Sequence, residues 1–277
     1  MTTEPDDLRL VLARQAVGVV TVIPDATVPG HVLHLTDAHG IHYFAKQHHR
    51  LSRLQREVTA YREWTRHLAC QTPELIAHHP DSGIILLTAV AGQRADTLPM
   101  ASDAEKRAHR AAGVTLRSLH DATTVANAQL GTEISDRLAN WIDQAVQLAL
   151  VSRAQEWVLR AHARQLRGQD VESAVCHLDY QPRNWFAGPA FAVIDFEHTR
   201  LDARVRDLAR LAHRYWPSSP HLRKAFLNGY GRLSDEEEEL LQHFAAYEAA
   251  TALVRGHETG NPVLTQHGRA ILTLLLP

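Results

Sequence analysis

A bilobal α+β fold, with a small mixed β/α lobe ahead of a larger helical one, is predicted by three observations. β-Branched and alternating runs crowd the first 90 residues. Helical periodicity and capping signals fill the remainder. A short segment ending in glycine, residues 88–92, separates the two patterns. The lobes are accordingly placed at residues 1–90 and 91–277, with the hinge near 88–92.

The elements follow in order. Residues 17–23 form a β-branched run and read as a strand, and residues 24–30, with two prolines and a glycine, as a loop. Residues 31–36 and 41–47 flank Asp37-Ala38-His39-Gly40, a hairpin turn. In the second of these strands Ile41, Tyr43 and Ala45 share one face, and His42, Phe44 and Lys46 the other. Leu54, Val58, Tyr61 and Leu68 recur at roughly helical spacing within residues 50–68. Residues 84–87 read as a short buried strand. Beyond Gly92 the pairs Ser102/Glu105, Ser152/Gln155 and Ser234/Glu237 each carry the capping-box pattern that opens a helix. The first of these helices runs toward His120.

Composition narrows the function classes. With 277 residues, 45% of them hydrophobic, the chain can bury one large or two small cores. A net charge of −2 gives no electrostatic ground for nucleic acid or an anionic membrane as partner. Two cysteines, Cys70 and Cys176, cannot build a disulfide framework, which suits a reducing cytosol. The acidic opening M-T-T-E-P-D-D lacks the apolar region of a signal peptide, and no run of about 18 apolar residues is present. A cytoplasmic monomer or homodimer is expected. The 19 histidines are scattered and read as solvated groups, not as a metal site.

Chemistry concentrates between His177 and Glu197, which read H-L-D-Y-Q-P-R-N-W-F-A-G-P-A-F-A-V-I-D-F-E. Asp179 precedes Asn184 by five positions, a Gly-Pro turn follows, and an apolar run delivers Asp195. Two acids and an amide, gathered by a loop and a short hairpin, make an all-oxygen site of the kind Mg²⁺ shares with phosphate. Asp179 remains to accept a proton from an attacking hydroxyl. This is the equipment of phosphoryl transfer to an alcohol.

The segment resembles the H-x-D-x-x-x-x-N catalytic loop and the I-D-[FW]-E strand of the aminoglycoside phosphotransferase family. That family has a protein-kinase-like fold and counts choline and homoserine kinases among its relatives. The resemblance implies Asp179 as catalytic base and Asn184 and Asp195 as Mg²⁺ ligands. It implies His177 and Asp207, the latter in D-L-A, as structural support of the loop. Lys46 at the end of a strand matches the phosphate lysine. Glu57, eleven residues on, matches its partner, with Glu63 in second place. The segment I-I-L-L-T-A-V-A-G resembles the family's strand-to-linker passage, so backbone groups at Thr88 and Val90 are expected to meet the adenine or guanine of ATP or GTP. Residues 113–120 resemble a family helix ending in L-H, equally a core helix with a terminal histidine. Leu178 stands where the family has glycine and is read as packing inward without effect on chemistry. Tyr180 stands where it often has histidine. The resemblance spans residues 40 to 215, and the last sixty residues match nothing.

Chance and a rival reading must be weighed. Taken alone, H-x-D-x-x-x-x-N is short enough to arise by accident, and a strand lysine with a helix glutamate is common. Their order along the chain, about 130 residues apart and with Asp195 and Asp207 following, gives the reading its weight. His177 and Asp179 are also spaced like two legs of an iron oxygenase triad, with His198 or His213 as the third, but that requires a β-barrel. No G-x-x-x-x-G-K-[ST] occurs, which argues against a P-loop kinase. No G-x-G-x-x-G occurs either. The phosphates would then meet the loop 24–30, with Thr27 as a contact.

The acceptor is the least legible part. A polycationic aminoglycoside would want acids around Asp179, and Glu197, Asp202, Glu248 and Glu258 are candidates. The acids at 235–239 read as a solvated face, and Trp141, Trp185 and Trp216 read as core residues before sugar-stacking ones. Three functions remain: an antibiotic O-phosphotransferase, a metabolic kinase of a small alcohol, amino alcohol or sugar, and a catalytically inactive nucleotide-binding protein. Every catalytic position is filled, which disfavours the last.

Overall fold

β-Branched and aromatic residues build a five-stranded antiparallel sheet from β1 (Val20–Ile23), β2 (Val32–Asp37), β3 (His42–Gln47), β4 (Leu75–His79) and β5 (Ile84–Thr88). The strand order is β1-β2-β3-β5-β4. The structure, a computed structural model, describes residues 7–169 and 171–276. The opening six residues, which carry the expectation about a signal peptide, lie outside that range.

The sheet is covered on both faces, and its period of two sorts the residues between them. Helix α1 (Leu8–Val17) lays Leu12 and Ala13 against Val20, Leu35, Tyr43, Ala45, Ile84 and Leu86. Helix α2 (Leu51–Thr59) packs Leu54 and Val58 on Ile85 and Leu87 from the other side. Lys46 pairs in register with Ile85 and so belongs to the α2 face.

Three local expectations shift. The strand foreseen at 17–23 begins only at Val20, because Gly18 at φ 84 closes α1 and donates to the Arg14 carbonyl. The helix expected over 50–68 loosens after Thr59 into a π-turn (Ala60–Trp64) and then tightens into a 3₁₀ turn (Thr65–His67). Strand β4 was not foreseen, since its L-I-A-H-H carries no β signal beyond one isoleucine.

Helices dominate after Gly92: α3 (Asp103–Thr123), α4 (Leu130–Gln147), α5 (Arg153–Arg167), α6 (Arg206–Arg210), α7 (Pro220–Tyr230), α8 (Asp235–Glu258) and α9 (Pro262–Leu275). Ser152 with Gln155 and Ser234 with Glu237 form complete capping boxes. Ser102 caps α3, but the Glu105 carboxylate turns to the Ala101 N–H instead of completing the box. Helices α3 and α7 cross where Gly113 meets Gly229. A Cβ on Gly229 would lie 2.1 Å from the Arg110 carbonyl, so the crossing needs glycine. Among the described residues no helix is long and apolar enough to cross a membrane.

Small β elements thread this helical part: β6 (Gln93–Arg94), β7 (Ser173–Cys176), β8 (Trp185–Ala187), β9 (Ala192–Val193) and β10 (Arg200–Ala203). β8 and β9 form the hairpin foreseen around the Gly-Pro turn. β7 pairs antiparallel with β10.

Candidate active site

Strand β7 ends at Cys176 and releases the chain into the loop that begins at His177. Asp207, buried at the start of α6, fixes that loop by accepting the backbone N–H groups of His177 at 2.8 Å and of Leu178. His120, at the end of α3, supports Asp207 at 3.2 Å and lies 2.8 Å from the Tyr230 hydroxyl. The imidazole of His177 uses both nitrogens: Nε2–H donates to the Ile194 carbonyl at 3.0 Å, and Nδ1 accepts from the Asp179 N–H at 3.2 Å. No nitrogen of His177 is left for a metal, and no barrel surrounds it, which excludes the iron oxygenase reading.

Leu178 has φ 63 and is half-buried. Glycine would be favoured here for its backbone freedom, not for space, so inward packing was the wrong reason to discount this position. Tyr180 is buried and donates to the Ala112 carbonyl at 2.8 Å, pinning the loop to α3.

The loop then sets three oxygen-bearing groups together. Asn184 ends a one-turn 3₁₀ helix (Pro182–Asn184) whose proline suits the first helical position. Its Nδ2 donates to the Asp179 carbonyl at 2.9 Å and to Asp179 Oδ2 at 2.8 Å. That leaves Oδ1 of Asn184 without a hydrogen bond among the described residues. Asp195 follows the β8–β9 hairpin at φ 70, a left-handed conformation held by the hydrogen bonds on either side of Ile194. Asp195 Oδ1 accepts Lys46 Nζ at 2.6 Å. An amide oxygen and a carboxylate are donor types that fit Mg²⁺.

From the sheet side, the α2 face brings Lys46 to Glu57 at 3.2 Å, with Glu57 fully buried. Glu63, the second choice, is exposed and outside this contact. Lys46 also meets Glu197 at 2.8 Å. Burial alone would push the Lys46 ammonium down, but Glu57, Asp195 and Glu197 hold it above the usual lysine range. Burial likewise works against the Glu197 carboxylate, yet His198, His48 and Lys46 keep it far below the usual carboxylate value. His48 spans Glu57 at 2.8 Å and Glu197 at 3.4 Å. Those carboxylates overcome burial and raise its pKa.

At the end of β5 the Thr88 N–H donates to the Glu74 carbonyl, and Thr88 Oγ1 accepts the Glu74 N–H. Val90 makes no backbone hydrogen bond among the described residues. In the loop 24–30, Thr27 turns its hydroxyl onto Asp25.

Of the acids foreseen for a cationic acceptor, Glu197 faces Lys46, and Asp202 is buried among Arg137, Arg200 and Arg206. Glu258 pairs with Arg255 at the surface. Only Glu248 approaches Asp179, and it is held by Arg214 at 2.9 Å and Arg210 at 3.7 Å. Trp185 and Trp216 are core residues, and Trp141 lies under Arg255. The run 235–239 is not wholly a solvated face, because Glu237 binds Arg204 and Glu238 binds Arg223.

The sequence reading missed three groups on Asp179 and a fourth on the carboxylates that hold Lys46. Gln181 Nε2 donates to Asp179 Oδ1 at 2.6 Å, Arg183 to Oδ2 at 2.8 Å, and Arg210 also contacts Oδ1. His48 was the fourth, through the Lys46 partners. Gln181 and Arg183 sit at the unspecified positions of the loop motif. Arg210 comes from another helix, so no local spacing announces it.

Among the curated proteins, none matches the chain in sequence. Solved structures do resemble it over nearly its whole length. The macrolide 2'-phosphotransferase of Brachybacterium faecium is 16% identical, with a TM-score of 0.65 over 97% of this chain and 98% of that one. An aminoglycoside 2'-phosphotransferase-IIIa in its GDP complex is 11% identical, with a TM-score of 0.68 over 98% of each chain. A spectinomycin phosphotransferase in complex with ADP and spectinomycin is 13% identical, with a TM-score of 0.63 over 99% of this chain and 98% of that one. These likenesses establish the shared protein-kinase-like fold. The model of the phosphotransferase enzyme family matches residues 30–258, well beyond the stretch 40–215 in which the resemblance was read and through the whole of α8. The chain therefore belongs to the phosphotransferase enzyme family.

Proposed function

We propose that this protein transfers the γ-phosphate of ATP or GTP to a hydroxyl of a small antibiotic or antibiotic-like molecule. The observation that carries the reading is the convergence of Asp179, Asn184, Asp195 and the Lys46–Glu57 pair from four separate segments. Structural neighbours in complex with GDP, with ADP and spectinomycin, and with streptomycin and ATP support the class.

The nucleotide would lie between the sheet and the helical part, which divide at residues 88–92. Its base would meet the free backbone groups of Val90 and the carbonyl side of Thr88. Lys46, aimed by Glu57, would contact the α- and β-phosphates. Asn184 Oδ1 and Asp195 would hold Mg²⁺, which when bound neutralises phosphate charge. The acceptor oxygen forms its bond to the γ-phosphorus as the bond to the nucleoside diphosphate oxygen breaks. The hydroxyl proton passes to Asp179. Asn184 and Gln181 hold that carboxylate in place through the transfer. A cytoplasmic setting, where ATP and Mg²⁺ are plentiful, suits both free cysteines.

The test is Mg²⁺-dependent nucleotide consumption across hydroxylated antibiotics, sugars and amino alcohols, with product mass read directly. One added phosphate on an antibiotic is the expected result. Transfer only to a metabolic alcohol or sugar would favour a metabolic kinase. Tight nucleotide binding with no transfer to any acceptor would favour an inactive nucleotide-binding protein.

A further inference from the structure

Four donors close on the carboxylate of Asp179: Gln181 and Arg210 on Oδ1, Arg183 and Asn184 on Oδ2. A carboxylate offers about four lone-pair sites, so a hydroxyl reaches Asp179 only by displacing one of them. Three donors are fixed. Asn184 is buried and also grips the Asp179 carbonyl. Gln181 is buried, and its Oε1 accepts the Tyr215 hydroxyl at 3.2 Å. Arg210 is shared with Glu248. Arg183 has no other hydrogen bond or ion pair among the described residues and keeps 55% of its side chain exposed. It is the donor free to leave.

A displaced Arg183 guanidinium, half in solvent, is open to an anion on the ligand, because the acids of the surrounding wall are already engaged. Arg210 and Arg214 already share Glu248. Arg94 is taken up by Asp96 at 2.6 Å, in a turn (Ala95–Thr97) packed against the Pro182–Asn184 turn. Tyr215 lies in the field of Arg183, Arg210, Arg214 and Asp96 together. The Nε of Arg214 is buried without a hydrogen-bond partner. Beside Asp179 itself, four arginines thus face two acids. Burial, with Arg214 adjacent, holds the Arg210 guanidinium below the usual arginine range, against the pull of Glu248.

We propose that the acceptor carries a carboxylate or phosphate near the hydroxyl that is phosphorylated, and that this anion draws Arg183 off Asp179, freeing the base as the acceptor binds. The inference rests on Asp179 being the base. It makes the base self-masking: a neutral or cationic hydroxyl compound leaves Arg183 in place, whereas an anionic one replaces the carboxylate as its partner. The same wall disfavours a polycation by like charge.

A charge-matched hexose series tests this on the full-length protein saturated with a non-hydrolysable ATP analogue and Mg²⁺. Glucuronate, glucose 6-phosphate, glucose and glucosamine are titrated by calorimetry, and the same four plus gentamicin are tried as acceptors with ATP. At least one anionic hexose should bind about tenfold or more tighter than glucose, with glucosamine weakest. Which anion wins separates carboxylate from phosphate recognition. In Arg183→Gln the advantage should shrink to about twofold or less. Anionic hexoses binding no better than glucose, a preference for glucosamine or gentamicin, or a loss of nucleotide affinity in Arg183→Gln would each overturn the proposal. Asp179→Asn separates the two layers: it should cut transfer about 10²–10⁴-fold yet keep the anion preference. Full transfer activity in Asp179→Asn would overturn the base assignment and the masking that rests on it, whereas a lost anion preference with transfer still impaired would overturn the masking alone.

Discussion

Lys46 sits between three carboxylates, and each contact has a different origin in the chain. Glu57 reaches it because strand alternation and one helix turn aim both side chains into the same layer. Asp195 reaches it from the far side of the cleft, at a residue whose left-handed backbone sets the carboxylate direction. Glu57→Gln keeps the shape and removes the charge that fixes the lysine. Nucleotide affinity should fall about tenfold, read by titration with Mg²⁺ present. Unchanged affinity would show that Lys46 is positioned by Asp195 and Glu197 alone. At this scale the motif residues were legible because H-x-D-x-x-x-x-N and I-D-F-E fix their own spacing. Arg183, Arg210 and His48 were not, since arginine and histidine at unspecified positions carry no local signal. Their importance comes from which carboxylate the fold sets beside them.

Among the elements, the loop after β7 and the α3–α7 crossing show opposite uses of glycine. Leu178 holds φ 63 where an L-residue is strained, so Leu178→Gly should cost the folded loop nothing in backbone energy. Relief of about 1 kcal/mol is offset by a more flexible unfolded chain, and the melting temperature should stay within about a degree or two. A large loss would mean that the leucine side chain, not the backbone, holds the loop. Gly229→Ala is the reverse case. Alanine favours an isolated helix by about 1 kcal/mol, but its Cβ would strike the Arg110 backbone of α3 at 2.1 Å. Helix separation should cost about 1–3 kcal/mol net and lower the melting temperature by several degrees. A stabilised variant would contradict the crossing. The capping serines made α3, α5 and α8 legible, whereas α1 and β4 were hidden. α1 runs into the β-branched stretch that Gly18 interrupts, and β4 ends in two histidines, so each owes its form to packing on the sheet.

Across the whole molecule, buried histidines tie stability to pH. His109 lies in α3 with Trp185 at 5.2 Å, its Nδ1 buried without a partner, and burial pushes its pKa down to about 4. His162, His177, His213 and His243 are lowered by burial as well. The unfolded chain binds these protons first, near the ordinary histidine value of 6.5. The stability these histidines govern is therefore full above about pH 6.5 and falls as pH drops toward 4, opposite in sign to His48, whose raised pKa favours the folded chain on the acid side. His109 alone accounts for about 3 kcal/mol of that fall. Denaturant midpoints at neutral and mildly acidic pH should show the loss, and His109→Phe should shallow it. An identical slope in the variant would remove His109 from the account. The bilobal architecture was legible as a change in periodicity near residue 90. The role of the last sixty residues was not, because they reach the site by tertiary contacts, Glu248 of α8 on Arg210 and Arg214 and Tyr230 on His120.

Proton transfer to Asp179 is measured in Asp179→Asn, with nucleotide affinity and transfer rate taken on the same preparation. Transfer should fall about 10²–10⁴-fold with Mg²⁺–nucleotide affinity nearly unchanged. Equal losses of both, or a rate close to that of the native chain, would contradict it.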